Sequence, residues 1–364
     1  MSSTIAEMQG TAQRLQGDVR EGAFCTGAQV YVSRSGEVLL DAGFGVDGLG
    51  RPMNTETLSA VYCTIKPMLS VLVLMAEQEG TLSRDMRLGE LLDTNGNLEL
   101  DAVRLEDLLT HQAGMHTVPS LLAGFRPPSI RHELALTAAP PEGWNRETDG
   151  AYSEWLGFYL IGLVLERHCG ASLADLLRER LLGPLGIEDE VLLGVEGEDL
   201  ERIGVNVDLR EGSPVPLLME RVPWFASSAD PSIGAYSTMR ALGVFFEWVL
   251  ATLDGRETGL LDPDRLRDAC TPQRPVVFDQ VVNVEADWGL GFNTGLSRLG
   301  FGPHPSERAV GHTGQVGTSI AFCDPEHDLA VALLYNGVID QEIGVTVRRP
   351  AIVGEIYRDL GLAD

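Results

Sequence analysis

The segment Cys63-Thr64-Ile65-Lys66 follows a short apolar run at residues 58–62 and leads into a long apolar run at residues 68–75. In a helical turn, a thiol and an amine three residues apart lie on one face, within reach of each other. The N-terminal end of a helix and a neighbouring cation both stabilise a thiolate, so Cys63 and Lys66 have the spacing of a nucleophile and its base. The alternative is a small buried cysteine beside a solvated lysine, which is the commoner meaning of an isolated C-x-x-K pattern.

The composition is that of a globular protein with a strong acidic bias. The 364 residues carry a formal net charge of -26, and 44% of them are hydrophobic. This length allows one large two-lobed domain or two modest domains. The acidic balance argues against nucleic acid or an anionic membrane surface as a partner.

The sequence also predicts a cytoplasmic protein without a cofactor. Residues 1–16 lack the pattern of a secretory signal, and no run of about 18 apolar residues indicates a membrane span. The five cysteines are odd in number and form no C-x-x-C pair, which is typical of reduced thiols. His111 and His116 are five residues apart, off the helical zinc spacing, so we expect no metal site.

The secondary-structure pattern places strands near both ends of the chain and helices between them. It predicts helices at residues 4–19, 67–80, 105–110, 133–137, 153–168, 172–182, 236–253 and 351–360, and strands at 28–33, 37–44, 288–292, 316–323 and 328–336. We therefore expect an α/β protein of the α+β type, with one antiparallel sheet flanked by helices and an inserted all-helical lobe. The predicted sheet domain comprises residues 1–87 and 225–364, and the mainly helical lobe residues 88–224.

Two further segments carry candidate chemistry. Tyr152-Ser153-Glu154 lies where an apolar helix begins, and a phenol there can shuttle a proton if a cation lowers its pKa. His312-Thr313-Gly314 precedes a predicted strand, where a small residue lets a ligand lie against the strand edge. Taken alone, Tyr152 would be a packing residue and H-T-G would have little meaning.

Together, in this order and spacing, the three segments resemble the active-site motifs of the serine β-lactamase and penicillin-binding protein superfamily, in particular its class C β-lactamase and esterase branch. The pattern of that branch is S-x-x-K, Y-x-N, and K-T-G or H-x-G. The resemblance extends to residues 108–114, 152–166 and 311–336 and covers roughly residues 25–340. It implies an α/β sheet domain with an all-helical insert.

The resemblance also implies a role for each matching residue. Cys63 takes the place of the nucleophile, Lys66 that of its base, Tyr152 that of the proton shuttle and His312 that of the cation in the third motif. The oxyanion hole corresponds to the backbone N–H groups of Cys63 and Gln315. Thr313 and Gly314 complete the third motif as substrate-binding positions.

This chain departs from the pattern of that branch at two positions. Cysteine replaces the serine, and Glu154 replaces the asparagine of Y-x-N. A cysteine can act as a preformed thiolate beside a charged lysine, and a carboxylate near Lys66 favours that charge by raising the pKa of Lys66. Glu154 therefore either supports a thiolate and ammonium pair, binds an amine of the substrate, or is an exposed acid at a helix start, where negative charge is favourable.

We expect an enzyme that takes an acyl group from an ester, thioester or amide onto Cys63 and passes it to an amine or alcohol, in small-molecule biosynthesis. Its partners would be small-molecule acyl donors and acceptors, including a carrier-bound thioester. Thioesters favour attack by amines over water more than oxygen esters do. The alternatives are an esterase or amidase hydrolase of the same superfamily, or a catalytically silent binding protein.

Overall fold

A computed structural model of the protein describes residues 8–118, 123, 126–257 and 259–363. Its strands are β1 (Gly27–Arg34), β2 (Glu37–Gly45), β3 (Leu58–Ala60), β4 (Val191–Leu193), β5 (Ile203–Gly204), β6 (Val207–Asp208), β7 (Val215–Pro216), β8 (Ala235–Ser237), β9 (Val277–Asp279), β10 (Val284–Ala286), β11 (Val310–Thr313), β12 (Ser319–Asp324), β13 (Leu329–Tyr335) and β14 (Gly337–Val338).

The described α-helices are α1 (Gln9–Glu21), α2 (Lys66–Gln78), α3 (Leu88–Leu91), α4 (Leu98–Asp101), α5 (Leu105–Leu109), α6 (Pro128–Leu136), α7 (Leu156–Cys169), α8 (Leu173–Leu177), α9 (Gly183–Leu185), α10 (Pro223–Ala226), α11 (Met239–Leu253), α12 (Pro263–Ala269), α13 (Gln341–Ile343) and α14 (Arg349–Asp359). Tighter 3-10 turns lie at Tyr62–Ile65, Gly197–Arg202, Leu218–Arg221 and Gln315–Gly317, and wider π turns at Arg178–Leu182, Ser297–Phe301 and Gly344–Arg348.

The largest sheet has five strands in the spatial order β11-β12-β13-β1-β2, and all neighbours are antiparallel. β1 pairs with β13 from Ala28 opposite Tyr335 to Arg34 opposite Leu329. The predicted sheet built from strands near both ends of the chain is confirmed. So is the predicted fold class.

Side-chain alternation gives the sheet two buried faces. One face, with Val30 and Phe322, shares a core with the apolar residues of α14, while the other face, with Tyr31 and Ala332, shares a core with α11. α11 packs very closely, because a Cβ at Gly243 would lie 2.1 Å from the ring of Tyr31. Glycine at this position lets the helix approach the sheet.

A smaller sheet in the order β4-β8-β3-β5 positions the segment that contains Cys63. β3 pairs with β8 through Ser59 opposite Ser237 and Ala60 opposite Tyr236. The chain then passes through the 3-10 turn into α2, which is buried over most of its length. The apolar helix predicted at residues 67–80 is confirmed in its type and burial.

The structure corrects three predicted elements. Residues 288–292 are not a strand, because a tight turn with Gly291 at φ 73° leaves only an isolated bridge between Trp288 and Asn293. The helix predicted from residue 236 starts at Met239, because residues 235–237 form β8 and Thr238 caps the helix. The strand predicted from residue 316 starts at Ser319, after the 3-10 turn.

The remaining predictions agree with the structure in element type and differ at the boundaries. The helix predicted at 172–182 is α-helical only as far as Leu177 and continues as a π turn, and Ser172 is its N-cap. The start of the helix predicted at 4–19 lies outside the described residues. The division at residues 87/88 and 224/225 stays a prediction. Within the described ranges, no helix is both long and apolar enough to cross a bilayer.

Candidate active site

Cys63 lies in the single 3-10 turn between β3 and α2. α2 begins at Lys66, and Pro67 is tolerated in its first turn because an N–H group there has no helical acceptor. Cys63 is 9% exposed, and its thiol donates to the carbonyl of Glu154 at 3.7 Å. The sulfur atom therefore lies at a helix entrance, beside the segment that carries the second motif.

Lys66 is fully buried and surrounded by oxygen atoms. Its Nζ lies 2.7 Å from the hydroxyl of Tyr152 and donates to the carbonyls of Ser153 and Glu154, each at 2.9 Å. The thiol of Cys63 donates to the same carbonyl of Glu154 as the amine does. Because the two carbonyls can only accept, they use two amine hydrogens, and the remaining position on the nitrogen serves Tyr152.

The charge of Lys66 is controlled mainly by burial. We expected Glu154 to raise the pKa of Lys66 and so to hold an ammonium. Burial instead lowers the pKa of Lys66 below its ordinary value, and the opposing effects of Cys63 and then Glu154 compensate only in part. Glu154 thus raises the pKa of Lys66 as expected, but burial outweighs it, and the thiolate and ammonium pair stays a prediction. A lowered pKa gives a larger fraction of neutral amine, which can accept a thiol proton.

Tyr152 lies between an aromatic wall and the buried amine. Its ring stacks on Trp288 with centroids 5.2 Å apart, and Nζ of Lys66 lies 4.2 Å from its centroid. A cation that lowers the pKa of Tyr152 was the condition for a proton shuttle, and that condition is not met, because burial and then Cys63 raise the pKa of Tyr152 well above its ordinary value. The phenol therefore keeps its proton, and its role as a shuttle stays a prediction.

The buried ion pair between Arg274 and Asp279, which no sequence motif indicated, fixes the position of Tyr152. Asp279 accepts a hydrogen bond from the backbone N–H of Tyr152 at 2.9 Å, from Arg274 at 3.1 Å and from the indole of Trp288 at 3.3 Å. The side chains of Arg274 and Asp279 are 1% and 0% exposed. One carboxylate thus holds both the backbone of Tyr152 and the ring that stacks on it.

His111, which the sequence indicated only as part of a motif, supports the next residue. Its Nδ1 accepts from the backbone N–H of Ser153 at 3.2 Å, and its ring centroid lies 4.5 Å from that of Tyr152. The hydroxyl of Ser153 accepts from the N–H of Gly157 at 2.8 Å. Burial and then Lys66 lower the pKa of His111 well below its ordinary value. A neutral imidazole therefore fixes the backbone whose carbonyls hold Lys66.

His312 lies on the edge strand β11, with its ring centroid 6.0 Å from that of Tyr152. Burial, followed by Lys66, lowers the pKa of His312 to about 3. The prediction that His312 is a cation is therefore wrong at neutral pH, because a buried site beside Lys66 disfavours a second positive charge. Its Nδ1 lies 2.9 Å from both the N and the O of Thr313, so the imidazole is held by its own strand.

The two expected oxyanion donors both lie at the starts of short helical turns. Cys63 is in the turn Tyr62–Ile65 and Gln315 is the first residue of the turn Gln315–Gly317. N–H groups in the first turn have no acceptor within their own helix, which suits them to bind an anionic oxygen. Both residues line the same cavity.

Buried hydroxyl groups join these two turns. The hydroxyl of Ser319 donates to the carbonyl of Val61 and lies 2.8 Å from the hydroxyl of Thr64, while its carbonyl accepts from the N–H of Gly314 at 2.7 Å. A Cβ at Gly314 would lie 2.2 Å from the hydroxyl of Ser319, so the close approach requires glycine. The turn after Gly314 is thereby held next to the turn that carries Cys63. The sequence did not indicate Ser319.

Glu154 and Thr313 were expected to bind substrate. The side chain of Glu154 is exposed, that of Thr313 is half-buried, and both residues line the cavity. The backbone carbonyl of Glu154 accepts from Lys66 and from Cys63. Position 154 therefore contributes to the site through its backbone, and the substrate contacts of the two side chains stay predictions.

The cavity has a volume of about 200 Å³ and both polar and apolar walls. Its apolar wall includes valines of the β9–β10 hairpin. Two cations that the sequence did not indicate also line it: Arg298, paired with Asp287 at 3.1 Å, and Arg349, whose pKa burial lowers to about 9. Its principal lining residues are Tyr62, Cys63, Tyr152, Glu154, Val281, Val282, Val284, Trp288, Asn293, Arg298, Leu299, His312, Thr313, Gly314, Gln315, Val345 and Arg349.

In the part of the chain that the structure describes, no three His, Cys, Asp or Glu side chains form a group suited to a metal ion.

A family model described as Beta-lactamase matches residues 15–349. The chain belongs to the β-lactamase family. An N-acetylmuramyl-L-alanine amidase of Bacillus subtilis is 23% identical over 370 residues, which cover 91% of this chain and 82% of the amidase. Esterase EstB of Burkholderia gladioli is 27% identical over 243 residues, which cover 57% of this chain and 61% of the esterase.

The fold of this β-lactamase family member also resembles solved structures along its whole length. EstCE1, described as a hydrolase with promiscuous acyltransferase activity, superposes with a TM-score of 0.79 at 16% identity and covers 98% of this chain and 100% of its own. The resemblance drawn from the three motifs is thus confirmed at the level of family and fold. The roles of Cys63, Lys66, Tyr152 and His312 stay predictions.

Proposed function

We propose that the protein is an acyltransferase that forms an acyl-Cys63 intermediate, taking the acyl group from an ester, thioester or amide and passing it to an amine or alcohol. The observation that carries this proposal is the environment of the thiol. The thiol of Cys63 and the buried amine of Lys66 both donate to the carbonyl of Glu154, at 3.7 and 2.9 Å, and Cys63 and Tyr152 line the same cavity. A small-molecule substrate or a carrier-bound thioester in a biosynthetic pathway is the setting we propose.

In the first half-reaction, Lys66 takes the proton of the thiol and sulfur attacks the carbonyl carbon. The N–H groups of Cys63 and Gln315 donate to the oxygen that becomes negative, an interaction whose loss typically slows such reactions about 100-fold or more. When the bond to the leaving alcohol, thiol or amine breaks, Lys66 returns the proton to it, with Tyr152 as the relay. The product is a thioester on Cys63.

In the second half-reaction, the acceptor attacks the thioester carbon and its proton passes to Lys66. As the C–S bond breaks, Lys66 returns a proton to sulfur and the thiol is restored. Amines attack a thioester more readily, relative to water, than they attack an oxygen ester, so a cysteine nucleophile favours transfer over hydrolysis. EstCE1, a hydrolase with promiscuous acyltransferase activity, supports the compatibility of this fold with acyl transfer.

The second candidate function is hydrolysis of an ester or amide, which the similarity to the Bacillus subtilis amidase and to esterase EstB favours. Incubation of the purified protein with an activated thioester, with and without a primary amine, separates the two. Transfer predicts that amide product grows at the expense of free acid as amine is added. A product that stays free acid at every amine concentration contradicts transfer and supports the hydrolase.

Intact-mass measurement tests the acyl-enzyme itself. The parent is expected to gain one acyl group on Cys63 and to be alkylated by iodoacetamide at Cys63 at neutral pH, whereas Cys63→Ala should gain no acyl group and should lack the alkylation at position 63. Cys169 is also partly exposed, so Cys169→Ala is the matched control and should retain both modifications of Cys63. A parent whose Cys63 takes no label while other thiols do would identify a catalytically silent binding protein.

A serine variant tests the chemistry of the nucleophile. Cys63→Ser should retain little activity, because an alcohol is a far weaker nucleophile than a thiol beside the same amine. A serine variant as fast as the parent would contradict a site adapted to sulfur.

A further inference from the structure

The residue that immediately precedes Cys63 has an unusual backbone conformation. Tyr62 has φ 49°, in the left-handed region that a bulky side chain rarely adopts. Such a conformation persists only where surrounding contacts impose it, and it concentrates at functional sites. The contacts of Tyr62 therefore bear on the geometry of the residue that follows it.

The side chain of Tyr62 ends at a fully buried carboxyl group. Its hydroxyl donates a short hydrogen bond to Oε1 of Glu220. Glu220 also accepts from the backbone N–H of Asn206 at 2.9 Å and from the side-chain amide of Asn206 at 2.8 Å. The carbonyl of Glu220 accepts from the hydroxyl of Tyr236 at 2.7 Å. Glu220 is thus fixed from two directions and is a rigid anchor for Tyr62.

The backbone before Tyr62 is fixed as well. Val61 donates to the carbonyl of Ala235 at 3.1 Å, and Ala60 pairs with Tyr236 in the smaller sheet. With the strand held on one side and the phenol held on the other, the torsions of Tyr62 have little freedom. Those torsions set the plane of the peptide that joins Tyr62 to Cys63. That peptide carries the N–H group of Cys63.

We infer that Glu220, through the hydroxyl of Tyr62, is a positioning residue that aims the N–H of Cys63 at the oxyanion site. This inference rests on the proposed function, because it assigns a role in forming the acyl-enzyme. Glu220 touches neither the thiol nor the cavity, and it lies 158 residues from Tyr62 in sequence. Its effect is on the peptide orientation and not on the sulfur.

Two reactions of the same thiol distinguish this role from a general structural one. Acylation by an ester or thioester passes through an oxyanion and needs the N–H of Cys63, whereas alkylation by iodoacetamide forms no oxyanion. Tyr62→Phe should therefore lower the acylation rate about 10- to 100-fold and leave the alkylation rate within about twofold of the parent. Glu220→Gln keeps an oxygen that can accept from Tyr62, so its acylation rate should fall between those of the parent and Tyr62→Phe.

The chain offers a matched control for these variants. Tyr31 donates to Glu247 at 2.8 Å in a tyrosine and glutamate pair between β1 and α11. Tyr31→Phe should leave both the acylation and the alkylation rates unchanged. Thermal melting of each variant verifies that it is folded, and Glu220→Gln provides the test if Tyr62→Phe does not fold.

The possible outcomes separate the two proposals. A parent that acylates, together with Tyr62→Phe and Glu220→Gln variants that acylate equally fast, overturns the positioning role alone. Equal losses of acylation and alkylation in the variants also overturn it, because the defect then lies at the thiol. A parent that takes no acyl group from any donor overturns the proposed function and the positioning role with it.

Discussion

The buried pair Arg274–Asp279 offers a sharp test of how Tyr152 is held. Asp279→Ala would remove the acceptor of the Tyr152 N–H group. Arg274 would stay buried without its carboxylate, and among the described residues it would keep only its hydrogen bond to the carbonyl of His111 at 3.2 Å. Loss of one partner of a buried ion pair costs about 3–5 kcal/mol. We expect this decrease in the free energy of unfolding, measured by urea denaturation. Tyr152 would also lose its fixed position, and a displacement of about 1 Å lowers the rate of acyl transfer about 100-fold.

A double variant separates the effect on stability from the effect on activity. Arg274→Met with Asp279→Ala removes both charges, so the uncompensated cation disappears and about 2 kcal/mol of the lost stability should return. Activity should stay low, because the N–H of Tyr152 and the indole of Trp288 still lack their acceptor. An Asp279→Ala variant that loses less than 1 kcal/mol, or a double variant with parental activity, would refute this reasoning.

Three further predictions concern other parts of the site. Lys66→Ala should move alkylation of Cys63 by iodoacetamide to higher pH, because the proton acceptor is lost; an unchanged profile would exclude that role. Ser319→Ala removes the hydroxyl that bridges Val61 and Thr64, so the free energy of unfolding should fall by about 1–3 kcal/mol. The rate of acylation should fall more than the rate of alkylation. Acylation at the parental rate would contradict a role of this bridge in the site. Burial raises the pKa of Glu220 from 4.5 to about 7, so the folded protein favours the neutral carboxyl group. The contribution of this group to the free energy of unfolding is complete below pH 4.5 and is lost as the pH rises to about 7. Relative to Glu220→Gln, the parent should therefore lose about 3 kcal/mol of unfolding free energy between these pH values; equal pH dependence of the two proteins would contradict the raised pKa.

Much of the fold could be predicted from local patterns. The hairpin at Ser35-Gly36, the buried helix after Lys66 and the final strand pair each have a clear apolar period or turn signal, and the structure contains all of them. The errors occur where tertiary contacts override the pattern. The apolar residues 288–292 have strand-like composition, yet Trp288 is held by the carboxylate of Asp279 and the chain turns at Gly291.

The candidate site was only partly predictable. Motif spacing was enough to select Cys63, Lys66, Tyr152 and His312 as candidates. The structure places Lys66 in contact with Tyr152 and His312 beside Tyr152, and Cys63, Tyr152 and His312 line the same cavity. The lowered pKa values of Lys66 and His312 were not predictable, because they follow from burial, which depends on the complete fold. The groups that hold the site lie far away in the sequence and carry no motif of their own.

The pairing of β1 with β13 affects how the chain folds. The N–H of Gly27 donates to the side chain of Asn336, 309 positions later, so the inner edge of the first hairpin stays without its partner during most of synthesis on the ribosome. An unpaired strand edge readily associates with other chains, and contacts between such distant residues form slowly. Recombinant yield should therefore depend strongly on chaperones and on temperature.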